Sequence, residues 1–263
     1  MAAYPLPLCL LLCAAGFVRA EAESPRRVVS LAPSITQTVI AVGATDRLVA
    51  VTPFCDAPDS IPRIKGGIQP DAETVLGFAP DLVLLTSMTP EPTRRQLTRL
   101  GLRVETIDSG SLDDIRANVS RVAVLLGTFR PPRTATASSP ATRSAALLFG
   151  AEGTFSAGRG THADEIMQQA GLRNIAAEAA GPWPQLGEEF LLSADPDLLV
   201  VADYNGTSQS EVLKIMRNDP VRRHLRAVEE GHVVVFPAGA FTVPGPGALA
   251  AGEELRAQLG TNP

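Results

Sequence analysis

Two stretches of this chain repeat one another. "AETVLGFAPDLVLLTS" begins at residue 72 and "EEFLLSADPDLLVVADY" at residue 188. Pro80-Asp81-Leu82 matches Pro196-Asp197-Leu198 at an offset of 116 residues, and the same offset carries Glu73 onto Glu189. Order and spacing persist across several elements, so the chain predicts two α/β lobes of related plan.

The local signals agree. "RVVSLAPS" reads as a buried strand that stops at Pro33, and "SITQTVIAVGA" as a helix. In that helix Ser34 offers a cap, and Ile35, Val39 and Val42 share one face before Gly43 ends it. "DRLVAVT" is a second strand. A short helix, a proline break and the strand Leu82–Leu85 follow. "EPTRRQLTRLG" is a helix closed by Gly101, "LRVETID" a strand, "AALLFG" another, and "THADEIMQQAGLRNIA" a helix ended by Gly171. "GHVVVFPA" is the second-lobe partner of "GLRVETID". Continuous apolar strands alternating with helices indicate mainly parallel sheets covered on both faces. The expected fold is therefore α/β, with two similar lobes joined by an inter-lobe helix. In "SLDDIRANVSRVAVLLGT", Ile115, Val119, Val122 and Leu126 lie on one side of that helix, with Ser111 or Asp113 near its start. Pro131-Pro132 and the polar "RTATASSPATRS" follow and read as a linker. The expected organisation is a signal peptide over 1–20, an N-terminal lobe over 26–110, helix and linker over 111–144, and a C-terminal lobe over 145–263.

The apolar run Leu6–Val18 is too short to span a bilayer. It precedes Val18-Arg19-Ala20, which suits signal peptidase, so export is expected. Leu12 before Cys13 is not the small residue of a lipoprotein box. Cleavage leaves Cys55 as the single cysteine, so no internal disulfide is available and Cys55 reads as a small buried residue. Loss of Arg19 takes the formal charge from −5 to −6. No Lys/Arg-rich run stands out, so a nucleic-acid role has little support.

Catalytic and metal motifs are missing. His162, His224 and His232 have no second His or Cys at metal-ligand spacing, and no Gly-x-Ser-x-Gly elbow occurs. Gly158-Arg159-Gly160 resembles a phosphate-cradling turn but lacks the Lys-Ser/Thr of a P-loop. The expectation is a binding protein, not an enzyme. Strand-end loops of two lobes would face a shared cleft, and Phe54, Phe155, Trp183 and Phe241 sit on such loops. Trp183, the only tryptophan, stands between two prolines, which disfavours both helix and sheet interior.

"RVVSLAPSITQTVIAVGATDRLVAVTPFCDAP" with "APDLVLLTS" resembles the N-lobe of periplasmic binding proteins that serve ABC importers of cobalamin, ferric siderophores and haem. "GPWPQLGEEFLLSADPDLLVV" resembles the C-lobe of the cobalamin-binding branch. The resemblance covers roughly 26–127 and 145–259. It implies a periplasmic monomer that holds cobalamin as transported ligand, with no cofactor or metal site of its own, and delivers it to a permease dimer. Phe54, Phe155 and Trp183 are implied to pack on the ligand, with Phe241 beside them. Ser34, Thr36, Arg159 and Gln185 are candidate polar contacts, and Glu73 and Glu189 are implied to dock the permease. Family aromatic positions fall here near Gly67 and Thr86, and the last ligand loop, "GAFTVPGPG", carries no charge. The Pro-Pro pair also replaces a continuing helix, whose interior each proline would destabilise by about 3 kcal/mol. Ferric siderophore or haem is the alternative ligand, although Arg159 is the one cation on the cleft loops. Sparse histidines disfavour zinc or manganese. The short linker is also compatible with a paralogue that no longer transports.

Overall fold

A computed structural model describes residues 24–66, 69–128 and 143–261. The expected signal peptide, Gly67 and the Pro-Pro linker lie outside the described residues.

The first lobe alternates strand and helix: β1 (Val28–Ser30), α1 (Pro33–Ala41), β2 (Leu48–Val51), α2 (Ala72–Gly77), β3 (Leu82–Leu85), α3 (Glu91–Arg99) and β4 (Val104–Thr106). After α4 (Leu112–Leu125) the second lobe runs β5 (Arg143–Phe149), α5 (His162–Gln169), β6 (Leu172–Asn174), α6 (Glu188–Ala194), β7 (Leu198–Asp203), α7 (Gln209–Asn218), α8 (Arg226–Glu229), β8 (Val233–Pro237), α9 (Gly239–Thr242) and α10 (Ala248–Thr261). The sheets are ordered β2-β1-β3-β4 and β6-β5-β7-β8. All strand pairs are parallel, so the two lobes share one topology. The central strands are buried on both faces, which is why they read as unbroken Val/Leu runs.

The repeat extends to backbone strain. Among the described residues, the non-glycine residues with positive φ are Ala79 (44°) and Asp195 (33°), at the same offset of 116 residues. Each precedes the Pro-Asp-Leu turn into a central strand. Asp81 accepts the backbone N–H groups of Arg26 and Arg27, and Asp197 accepts the N–H and hydroxyl of Ser144. In both lobes this carboxylate ties the incoming strand to the neighbouring strand's start.

Helix α4 belongs to both cores. Ser111 caps it through a reciprocal capping box with Asp114. Leu112 and Ile115 are buried with β5, β7 and α5 of the second lobe. Val119, Val122, Ala123 and Leu126 are buried with β1, β3 and α1 of the first. One apolar stripe, roughly 21 Å long at 1.5 Å per residue, thus spans the two lobes. Two further bonds join them near its start: Leu112 N–H to the Glu165 carboxylate at 2.6 Å, and His162 N–H to the Gly110 carbonyl at 2.7 Å. Burial beside α4 raises the Glu165 pKa.

One local expectation is corrected. Ser34 does not cap α1: Ala32 holds the cap position, Pro33 begins the helix, and no side chain caps it. Helix α5 ends before Gly171 as expected, and the short strand β6, for which the sequence carried no signal, follows it.

Candidate functional site

Trp183 stands on a ribbon whose geometry explains its prolines. Residues 154–158 run antiparallel to 182–186. Gly158 N–H bonds Pro182 O at 2.9 Å, Ser156 N–H bonds Pro184 O at 2.9 Å, and Leu186 N–H bonds Thr154 O at 2.7 Å. A bridge pairs Phe155 with Gln185, and the Gln185 amide donates to the Thr154 hydroxyl at 3.0 Å. The prolines lack N–H groups but contribute only carbonyls here, so they stiffen the strand without losing a bond. A Cβ on residue 158 would collide with the carbonyl of Gly181, so this register requires glycine. The indole is held between those two bonded carbonyls, 45% exposed. Its ring packs on Phe149 at 6.0 Å and edge-on against His162 at 6.1 Å.

Next to it, the turn 158–164 is locked from below. The Thr161 hydroxyl accepts Asp164 N–H and donates to Gly158 O, while buried Asp164 also binds Gly160 N–H, Gln168 and Asn174. These bonds overturn the phosphate-cradle resemblance. The N–H groups of Gly158, Gly160, Thr161 and His162 all have protein partners, the Asp164 carboxylate among them, and none is left for a bound phosphate.

Two cavities meet at Trp183 and Thr242. One, of about 420 Å³, reaches from Met88, Ser109 and Gly110 of the first lobe to Arg159, His162, Trp183 and Pro244 of the second. The other, an open groove of about 370 Å³, is walled by Phe149, Phe155, Trp183, Tyr204 and Thr242. These walls lie at the carboxyl ends of parallel strands, where open α/β sheets bind ligands. The groove is mostly aromatic, and both cavities are almost uncharged. Arg159 is the one cation among the lining side chains, and its Nε donates to Ala177 O at 3.3 Å. Burial holds the His162 pKa down at about 4, so its ring is neutral at ordinary pH.

The expected residues separate into groups. Trp183, Phe155 and Gln185 come together on the ribbon, with Arg159 on the adjoining turn. Phe54 is 63% exposed on the loop after β2 but does not line either cavity. Ser34 is half-buried in the first turn of α1, where its Cα faces Gly245 of the other lobe. Phe241 is corrected: it is fully buried in the second-lobe core, edge-to-face with Phe236 at 5.7 Å. "GAFT" forms one helical turn, which rotates this ring inward. Thr36 is also corrected, being fully buried with its hydroxyl bonded to Ser30 at 2.8 Å. Cys55 is buried beside Thr52, its Sγ 3.2 Å from the hydroxyl. Glu73 and Glu189 are exposed in the first turns of α2 and α6. Among the described residues no acidic, His or Cys cluster suits a metal ion. Sequence reasoning missed Met88, Phe149 and Tyr204. Each ends or closely follows a strand, and that position was the available signal.

The model of the family described as "Periplasmic binding protein" matches residues 28–240. The chain belongs to this family. Over 219 residues it is 28% identical to a vitamin B12-binding protein of Yersinia pseudotuberculosis, covering 76% of this chain and 77% of that one. The fold is shared with a periplasmic heme-binding protein of Vibrio cholerae (TM-score 0.73, 20% identity, 89% of this chain and 98% of that one). It is also shared with a periplasmic vitamin B12-binding protein of Vibrio cholerae (TM-score 0.67, 21% identity, 90% and 98%).

Proposed function

We propose that this family member is exported to the periplasm, captures a corrinoid of the cobalamin class in the inter-lobe cleft, and delivers it to an ABC permease without performing chemistry. The observation that supports it best is the cleft wall. A proline-braced tryptophan, two phenylalanines and a tyrosine offer broad apolar faces with one cation nearby. A large, flat, nearly neutral ligand suits such walls, because apolar area supplies the attraction and a braced ribbon needs little ordering. The likeness to vitamin B12-binding relatives points the same way. In this reading Trp183 and Phe155 stack on the ligand, Gln185 and Arg159 reach its polar rim, and Phe54 and Ser34 approach from the first lobe. Glu73 and Glu189 dock the permease.

Haem is the second reading. Arg159 suits a propionate, and the exposed phenol of Tyr204 stands in the groove. Titration of the single tryptophan's fluorescence separates the two. Saturable one-to-one quenching by cyanocobalamin, after correction for absorbance and abolished in Trp183→Phe, supports the corrinoid. A flat corrected signal with cyanocobalamin and a saturable response to haem moves the assignment to haem.

A further inference from the structure

Four buried polar side-chain atoms among the described residues have no hydrogen-bond partner: Arg94 Nε, Ser156 Oγ, Arg256 Nε and His162 Nε2. Native proteins hold few such atoms, and each calls for a reason. The two arginines bond through their terminal nitrogens, to Glu91 and to the Gln169 carbonyl. Ser156 lies on the ribbon and lines neither cavity. His162, 2% exposed, is the one of the four that lines the cavity between the lobes.

Its ring is also aimed. Nε2 has no partner, while the Phe241 backbone carbonyl beside the ring favours a proton on the nitrogen that faces it, which we assign as Nδ1. With the proton there, Nε2 is a lone-pair acceptor. The backbone holds the residue as firmly: His162 opens α5, and its N–H reaches the Gly110 carbonyl of the other lobe at 2.7 Å. The Trp183 indole packs edge-on against the ring at 6.1 Å. An oriented acceptor therefore lies under the aromatic that dominates the cleft, at the lobe junction.

We propose that His162 Nε2 is a specificity-determining atom, accepting a hydrogen bond from a primary carboxamide N–H on the bound ligand once the indole shifts to stack on that ligand. This rests on the corrinoid reading, because a corrinoid rim carries several such carboxamides. A neutral acceptor at this depth favours an N–H donor and disfavours a carboxylate, which would set lone pair against lone pair without water between them.

The test is calorimetric titration of the full mature chain with cyanocobalamin and with derivatives in which one peripheral carboxamide at a time is hydrolysed to a carboxylate. Wild type is expected to bind one derivative about tenfold or more weakly and the others nearly as cyanocobalamin. His162→Phe keeps the ring but loses the acceptor. It should bind cyanocobalamin about tenfold less tightly and stop discriminating among the derivatives. His162→Gln, whose amide oxygen accepts, should recover part of both. Wild-type affinity and unchanged discrimination in His162→Phe overturn the proposal. If that variant does not fold, a wild type indifferent to every carboxamide overturns it equally. A wild type that binds no corrinoid overturns the corrinoid reading and this assignment together; corrinoid binding without discrimination overturns this assignment alone.

Discussion

The two lobes share a scaffold and differ in what they show the cleft. Strand order, the strained residue before each Pro-Asp-Leu turn, and the acid in the first turn of α2 and α6 are duplicated at one offset. The cleft walls are not. The second lobe supplies Phe149, Phe155, Trp183 and Tyr204, whereas the first supplies Met88, Ser109 and Gly110. Duplicated features lie where a turn must close or a surface must face outward twice. Unduplicated ones lie on the loops, which can vary without disturbing strand pairing. Fold and recognition are thus carried by different residues, and substitutions should separate them.

The largest expected effect is on a residue that sequence position alone groups with the cleft. Phe241→Ala should cost about 3–5 kcal/mol of stability, because it empties a closed core site against Phe236. Phe54→Ala, at an exposed loop position, should stay within about 0.5 kcal/mol of wild type. Urea unfolding of both variants measures the contrast; equal costs would return Phe241 to the wall.

Acid should weaken the second lobe through His162. The unfolded imidazole titrates near 6.5 and the buried one at about 4, so between these values the unfolded chain takes up a proton that the folded chain refuses. Stability present above pH 6.5 therefore declines as pH falls to about 4, by at most about 3 kcal/mol from this group. The difference between wild type and His162→Gln across that range isolates it from the carboxylates. A difference independent of pH would place the imidazole in contact with water.

The paired turn carboxylates test the scaffold itself. Hydrogen bonds from Ser144, with the Arg226 guanidinium beside them, hold the Asp197 pKa at about 2. That contribution is present above the unfolded carboxylate's pKa near 3.8 and is lost as pH falls toward 2. Asp197 is partly exposed, so Asp197→Asn should cost about 1 kcal/mol at pH 7 after allowance for solvent screening. Asp81 accepts two backbone N–H groups in exposed surroundings, so Asp81→Asn should cost less. Thermal melts at pH 7 and pH 3 compare them. An Asp81→Asn variant as weak as Asp197→Asn would make the two turns equivalent in energy as well as shape.

Much of the scaffold was legible in the sequence, because its signals are local. Val/Leu runs bounded by proline and glycine locate β1, β3, β5 and β7, and the apolar spacing of Ile115, Val119, Val122 and Leu126 locates α4. β6 escaped because three residues with an exposed Arg173 at the centre carry no apolar run. Trp183 was legible because flanking prolines restrict it to extended backbone. Phe241 misled because one turn of helix inside an apparent loop decides which way its ring faces. His162 is the clearest limit. Its unpartnered nitrogen, the Phe241 carbonyl beside its ring and its contact with Trp183 involve residues far apart in the chain, and no motif at residue 162 records them.

The smallest effect belongs to the outer pair, and in the proposed import role it sharpens the comparison most. Glu73 and Glu189 stand in the first turns of exposed short helices, where the helix end already favours a negative charge. Neither forms an ion pair among the described residues. Removing either should barely alter folding or ligand affinity. Rim charges of this kind guide encounter and orientation more than they hold a complex together, so each should weaken docking by about 0.5–1 kcal/mol. A permease built on a two-fold axis would meet both lobes alike. Glu73→Ala and Glu189→Ala should then slow corrinoid uptake by similar modest factors, and the double variant should slow it by about their product. Uptake assays with membranes carrying the permease, run beside titrations of each variant with cyanocobalamin, keep docking apart from capture. Equal losses would extend the lobes' equivalence from the turns to the docking surface. Loss confined to one lobe would confine that equivalence to folding, leaving the docking surface as unduplicated as the cleft.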